Sequence, residues 1–322
     1  MTNFNRRQFN LATAVGVSAL GLSGPLAFLP SAMAKEVRSK GHYSYKVGSD
    51  IEVISIYDGI WKKSHDEGFI NGVSVEETKA ALRNANLDDG AIPIEFAYTV
   101  VKSGGKTILI DAGTGGQLAP SAGLGSEGMA RAGIKAEDID TVLISHFHPD
   151  HIFGLMNKDD NSQVYSNAEI LVGETEFGFW TDPSLIDRLP ENRKGLAGRI
   201  QSTLGSWKNV SRYQGDQEVA PGIRSVDTFG HTPGHTAFHL ASGNDQLMLV
   251  GDLLNLPALF LANLDWQMAF DMDKDGATAS RKSMVERVVS DNIKVAGYHF
   301  GFPNSGRFVK DGGGYVFDPQ KA

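Results

Sequence analysis

The chain is 322 residues long, carries 30 Lys and Arg against 38 Asp and Glu for a formal charge of −8, and contains no cysteine. So acidic a balance argues against nucleic-acid substrates, which call for phosphate-neutralising Lys and Arg patches. The missing thiols exclude disulfides, thiolate metal ligands and a cysteine nucleophile, which leaves stability to a hydrophobic core and to any bound metal.

At the start of the chain, Asn5-Arg6-Arg7-Gln8-Phe9-Asn10-Leu11 sets a twin arginine ahead of an apolar stretch from Leu11 to Leu29, followed by Ala32-Met33-Ala34. This resembles a twin-arginine export signal with a small-x-small cleavage site after Ala34. Gly16, Gly21, Gly24 and Pro25 interrupt the apolar run, which speaks against a membrane anchor. Residues 1–34 are therefore expected to be a signal that engages the twin-arginine export machinery. Its loss removes only Arg6 and Arg7 and moves the formal charge from −8 to −10. The expected product is a periplasmic or secreted protein with no membrane attachment. Export in the folded state suits a protein loaded with its cofactor beforehand.

In chain order, Ile51 to Tyr57 reads as a strand, and Ser74-Val75-Glu76-Glu77 has the capping-box pattern that opens a helix toward Asn84. Tyr98 to Lys102 and Thr107 to Ile110 flank Ser103-Gly104-Gly105 as a hairpin. A second helix is expected over Ser126 to Ala132, and Asp140 to Ser145 is a short β-branched run that reads as a buried strand. Ala168 to Val172 is a further strand, and Glu174 to about Asn209 turns helical and irregular. Strands follow at Ile223 to Thr228, Phe238 to Leu240 and Leu247 to Val250. Ala277 to Val289 spaces its apolar residues as an amphipathic helix, and Lys294 to Gly297 is a last strand. One α/β domain with a mixed sheet arrangement accounts for this order.

The strand ending at Ser145 leads into His146-Phe147-His148-Pro149-Asp150-His151, four potential metal ligands in six positions. Imidazole and carboxylate are donors that zinc and similar divalent ions accept. The spacing fits neither one face of a helix nor one face of a strand, so it requires a loop. Three later segments repeat the theme at strand exits: Gly230-His231-Thr232-Pro233-Gly234-His235, Val250-Gly251-Asp252, and Ala296-Gly297-Tyr298-His299.

The ordered set His-x-His-x-Asp-His, Gly-His-Thr-Pro-Gly-His, Gly-Asp and a late strand-end His resembles the metallo-β-lactamase superfamily along essentially the whole of residues 35–322. The resemblance implies a four-layer αββα sandwich with mixed sheets, forming one hydrolase domain. By position it implies that His146, His148 and His231 hold one metal, that Asp150, His151 and His299 hold another, and that Asp252 bridges them. Two divalent ions are implied, zinc first, with manganese, iron or cobalt chemically acceptable to the same donors. His231 is preferred over His235 as a ligand, and His235 and His239 are read as packing or supporting groups. Asp111 is read either as a support for a ligand histidine or as a turn cap. His42 and His65 are read as surface residues.

The run from His146 to His151, the Gly-His-Thr-Pro-Gly-His-Thr turn, Gly251-Asp252-Leu253 and Phe302-Pro303 after His299 resemble the exported methyl parathion hydrolase and lactonase-like branch. The implied activity is attack by a hydroxide held between two metals on lactones or aryl esters, with organophosphate triesters as further substrates and Asp150 and Asp252 as catalytic groups. A hydrophobic small-molecule ester or lactone is the expected substrate, and a homodimer the expected assembly. Trp180, Asn255 and Leu118 are the expected substrate contacts. Asn255 stands where lactonases of this type carry a tyrosine, and Leu118 departs from the aromatic ring of the phosphotriesterases. A β-lactamase is the alternative enzyme, and a non-catalytic metal-binding protein that retains the fold is the alternative of another class.

Overall fold

A computed structural model describes residues 38–320, and the export signal expected over residues 1–34 lies outside them. Its first sheet runs in chain order through β1 (His42–Val47), β2 (Ile51–Lys63), β3 (Ile92–Ser103), β4 (Lys106–Ile110), β5 (Thr141–Ile144), β6 (Glu169–Gly173) and β7 (Val210–Tyr213). The second consists of β8 (Glu218–Ala220), β9 (Ile223–Asp227), β10 (Thr236–Ser242), β11 (Asp245–Leu249), β12 (Lys294–Ala296), β13 (Ser305–Asp311) and β14 (Gly314–Pro319). Both sheets are mixed: β1 to β4 pair antiparallel and β4 to β7 parallel, while β11–β12 is the parallel pair of the second sheet.

Consecutive strand residues point to opposite faces of a sheet, and here both faces are covered. Val142 and Ile144 join one buried cluster while Leu143, between them, joins the other; Leu109 and Met248 part in the same way from Ile108, Ile110, Leu247 and Leu249. The cluster built on Leu143, Phe238, Leu247 and Ala296 fills the space between the sheets, and the larger one lies beneath the helices outside them. This is the expected αββα layering, and it explains why the central strands read as continuous apolar runs. Each fully buried Val, Leu or Ile contributes about 1.5–3 kcal/mol over its exposed state.

The helices are α1 (Val75–Asn84), α2 (Gly125–Arg131), α3 (Pro149–Ile152), α4 (Glu174–Thr181), α5 (Leu185–Arg188), α6 (Glu191–Ser202), α7 (Pro257–Phe260) and α8 (Lys274–Ser290). The capping box forms as expected: Ser74 Oγ accepts from Glu77 N–H, and a Glu77 carboxylate oxygen accepts from Ser74 N–H. In α8, Ala277, Met284, Val285 and Val288 are buried, and Asp273 caps the first turn by accepting from Gly276 N–H. Among the described residues no helix is long and apolar enough to cross a membrane.

Two strand expectations need correction. The strand expected to end at Tyr57 continues to Lys63, because a register shift between Tyr57 and Gly59 lets it bend and keep pairing with β3. β1, β7, β8 and the β13–β14 hairpin were not anticipated. They are edge or near-edge strands whose half-polar patterns give a weak sequence signal.

Candidate metal centre

Four strand exits converge at one edge of the sandwich. β5 delivers His146 and His148 and then α3, whose first residue is Pro149 and which carries Asp150 and His151. β9 leads to His231, β11 to Asp252 and β12 to His299. Gly251 precedes Asp252 at φ +54°, and a Cβ there would come within 2.7 Å of His235 Nε2, so the turn that presents Asp252 requires glycine.

The side chains form two groups that share Asp252. His146, His148, His231 and Asp252 offer donor atoms within 4.8 Å of one another, and so do Asp150, His151, Asp252 and His299. Asp252 Oδ2 lies 3.4 Å from His231 Nε2 and 3.2 Å from His299 Nε2, while Oδ1 lies 3.1 Å from His151 Nε2. Asp150 Oδ2 is 3.5 Å from both His151 Nε2 and His299 Nε2. His231 Nε2 and His148 Nδ1 face each other at 2.9 Å. His146 Nε2 is buried without a hydrogen-bond partner, and His151 Nε2 and Asp252 Oδ1, equally buried, have only ion-pair contacts to each other and from His151 to Asp150. Such orphaned atoms are costly unless something satisfies them, and divalent cations fit this donor set.

The opposite nitrogen of most of these rings is held from behind. His151 Nδ1 meets Asp111 Oδ2 at 2.8 Å, His231 Nδ1 meets Asp271 Oδ1 at 2.8 Å, and His299 Nδ1 meets the Glu95 carbonyl at 2.8 Å. Ser145 Oγ lies 3.0 Å from His146 Nδ1 and donates to Asp111. Such contacts fix the tautomer and turn the other nitrogen inward. Asp271 is itself paired with the buried Arg281, whose guanidinium also donates to the Leu253, Leu264 and Trp266 carbonyls. Tyr298 stacks on His151 at 3.8 Å between ring centroids, and its hydroxyl donates to the Asp150 carbonyl.

The electrostatics divide the two groups. Burial, followed by the neighbouring imidazoles, pushes His146 and His148 well below the usual histidine range. Burial also opposes charge on His151 and His299, but carboxylates override it: Asp252, Asp150 and Asp111 raise His151, and Asp252 and Asp150 raise His299. Burial likewise works against ionised Asp252, and His299 and His151 outweigh it and hold the carboxyl well below its usual value. Asp150 is lowered in the same way, chiefly by His151.

The seven expected ligands are thus brought together, and His235 sits behind them as expected: its Nε2 accepts from Asp252 N–H at 3.1 Å, with Thr228 Oγ1 on its Nδ1. Burial brings His235 down to about 3. His42 and His65 are half-buried, and His65 hydrogen-bonds the Asp89 carbonyl.

The expected substrate contacts are placed differently from one another. Leu118 is 43 % exposed on the loop between β4 and α2. Asn255 is buried, and its side-chain oxygen accepts from Leu256 N–H. Trp180 is 0 % exposed, packed in the core with its indole N–H on Glu176, which corrects its assignment to the substrate's edge. Glu176, Asp271 and Arg281 were not anticipated; their only local signal is that charged residues stand on otherwise core-facing helix or loop positions.

The family model for the metallo-beta-lactamase superfamily matches residues 97–295. An N-acyl homoserine lactonase of Bacillus cereus is 27 % identical over 122 residues, which are 38 % of this chain and 41 % of the relative. A second, from a Bacillus species, is 29 % identical over 107 residues, 33 % of this chain and 35 % of that protein. The chain thus spans about two fifths of the length of the curated relatives it matches. Among solved structures, the dizinc quorum-quenching lactonase AidC, in complex with a product, superposes with a TM-score of 0.81 at 28 % identity, covering 88 % of this chain and 98 % of that one. The hydrolase AbOPH of the beta lactamase superfamily reaches the same TM-score and coverage at 22 % identity, a likeness of fold.

Proposed function

This chain belongs to the metallo-β-lactamase superfamily, and from that premise we propose that it is a dinuclear metal-dependent hydrolase of lactones, with aryl esters as related substrates. The observation that carries the reading is the pair of buried donor groups joined at Asp252, with His146 Nε2 left without a partner. The likeness to a dizinc lactonase at 28 % identity over nearly the whole of that chain supports the choice of zinc and of lactones.

His146, His148 and His231 would hold one ion, Asp150, His151 and His299 the other, and Asp252 both. Bound there, two divalent ions supply a nucleophile at neutral pH and polarise the carbonyl under attack. The protein's own residues do the rest. Asp111, Asp271 and the Glu95 carbonyl hold His151, His231 and His299 in the tautomer that leaves Nε2 free. Asp150, 17 % exposed where the other acid of the centre is nearly closed off, would take the proton of the attacking water on Oδ1, the oxygen turned away from His151 and His299, and return it to the departing alkoxide as the ring C–O bond breaks. Leu118 is our choice for contact with an apolar part of the substrate, and Asn255 follows the turn that carries Asp252. Residues 1–34 would export the folded enzyme to the periplasm or beyond.

Purified zinc-loaded protein, with metal content measured on the same sample, is to be assayed against an N-acyl homoserine lactone, an aryl ester, a phosphotriester and a β-lactam, with Asp252→Ala as control. Turnover of the lactone above the other substrates is expected. A fully loaded protein inert to lactone and ester would overturn the reading, and one inert to all four would favour a non-catalytic metal-binding role.

A further inference from the structure

Glu176 is a fully buried carboxylate that no ligand role absorbs. It lies in the first turn of α4, directly after β6. One of its oxygens accepts from Phe147 N–H and from the Trp180 indole N–H, both at 2.8 Å. The other accepts from Thr232 Oγ1–H at 2.7 Å and from Gly234 N–H at 2.9 Å. Phe147 stands between His146 and His148, and Thr232 follows His231. One carboxylate therefore ties together the two loops that bring three imidazoles to a single half of the centre. The fit is close: a Cβ at Gly234 would lie 2.2 Å from Glu176 N, so the turn rests directly on the start of the helix. Four donors call for an acceptor-only group, which an ionised carboxylate is and an amide is not. The other half is supported elsewhere, by the Asp111 carboxylate behind His151, the Glu95 backbone carbonyl behind His299 and the Tyr298 hydroxyl on the Asp150 backbone carbonyl.

We propose that Glu176 is a positioning residue that sets the affinity of the His146–His148–His231 half for its ion, a role that rests on the dinuclear reading above. By joining the loops it fixes the 2.9 Å approach of His148 Nδ1 to His231 Nε2. In Glu176→Gln one oxygen becomes an NH2 facing two donors. Either the Phe147 side or the Thr232 side then loses its anchor.

The test is a chelator competition on the zinc-loaded enzyme with metal counted at each step, the two release phases being assigned with His231→Ala and His299→Ala. Glu176→Gln is expected to weaken the His231 phase by about 10–100-fold, the usual range for groups behind a metal ligand, while the His299 phase stays within about twofold. Thr232→Val, which removes a single donor, should shift the same phase less, and it decides the matter with the same readout if Glu176→Gln is not recovered folded. Equal weakening of both phases, or of neither, would overturn the proposal by reducing Glu176 to a general brace of the fold. A wild-type protein that never holds two ions would instead overturn the dinuclear reading beneath it.

Discussion

The two halves of the centre lie on one edge of the sandwich and share Asp252, yet they are built on opposite electrostatic plans. In the His146–His148–His231 half, burial and the neighbouring imidazoles push His146 and His148 down, and the half's acids, Asp271 and Glu176, stand behind the ligands. The Asp150–His151–His299 half puts carboxylates beside its imidazoles, which they hold toward the charged form. One half therefore sets imidazole against imidazole, with His148 Nδ1 2.9 Å from His231 Nε2, whereas the other keeps its donors in internal ion pairs that a cation must displace. Its single partly open ligand, Asp150 at 17 % exposure, is also the one suited to proton transfer.

The shared carboxylate offers the strongest way to break this contrast. Asp252→Ala should abolish the difference by emptying both halves, with turnover falling by about 10³-fold, the rate equivalent of the several kcal/mol a metal supplies as a Lewis acid; assay and metal content on one sample check it. Arg281→Met should act on the first half through the fold. It leaves Asp271 buried without its ion-pair partner and should cost about 3–5 kcal/mol of stability, read as a lowered denaturant midpoint. Asp271→Asn and Asp111→Asn form a matched pair: each should weaken one ion most, by about 10–100-fold, the first on the His231 side and the second on the His151 side that Asp111 touches directly, with a smaller effect on His146 through Ser145. If both variants release the same ion first, the division into halves is wrong. Leu118→Ala, at an exposed position that is not a ligand of either half, should raise KM severalfold for long-chain lactones and change stability by no more than about 0.5 kcal/mol.

The ligands were legible because their spacing is improbable for anything else: three histidines and an aspartate within six residues, then single donors at strand exits. Asp111 could be read as a support because it too ends an apolar strand. Glu176, Asp271 and Arg281 could not, since Glu176 meets Phe147 and Thr232 across 29 and 56 residues of chain and nothing local announces the pairing. Trp180 shows the same limit from the other side. An aromatic near the site reads as a pocket wall, but its N–H was needed by a buried acid. The layering was implied by the family resemblance, with which the continuous apolar runs in β4, β5 and β11 agree, whereas β1 and the β13–β14 hairpin carry too little periodic signal to be placed.

One consequence follows from which sheet bears which donor. His146, His148, Asp150 and His151 hang from the exit of β5 in the first sheet, while His231, Asp252 and His299 hang from the second. An ion held between them is a clasp across the joint. Free metal at 100 times its Kd would add about 2.7 kcal/mol to the closed state. Metal starvation would then loosen the molecule first along that joint, so a protease cutting between β7 and β8 would report metal supply as directly as an activity assay.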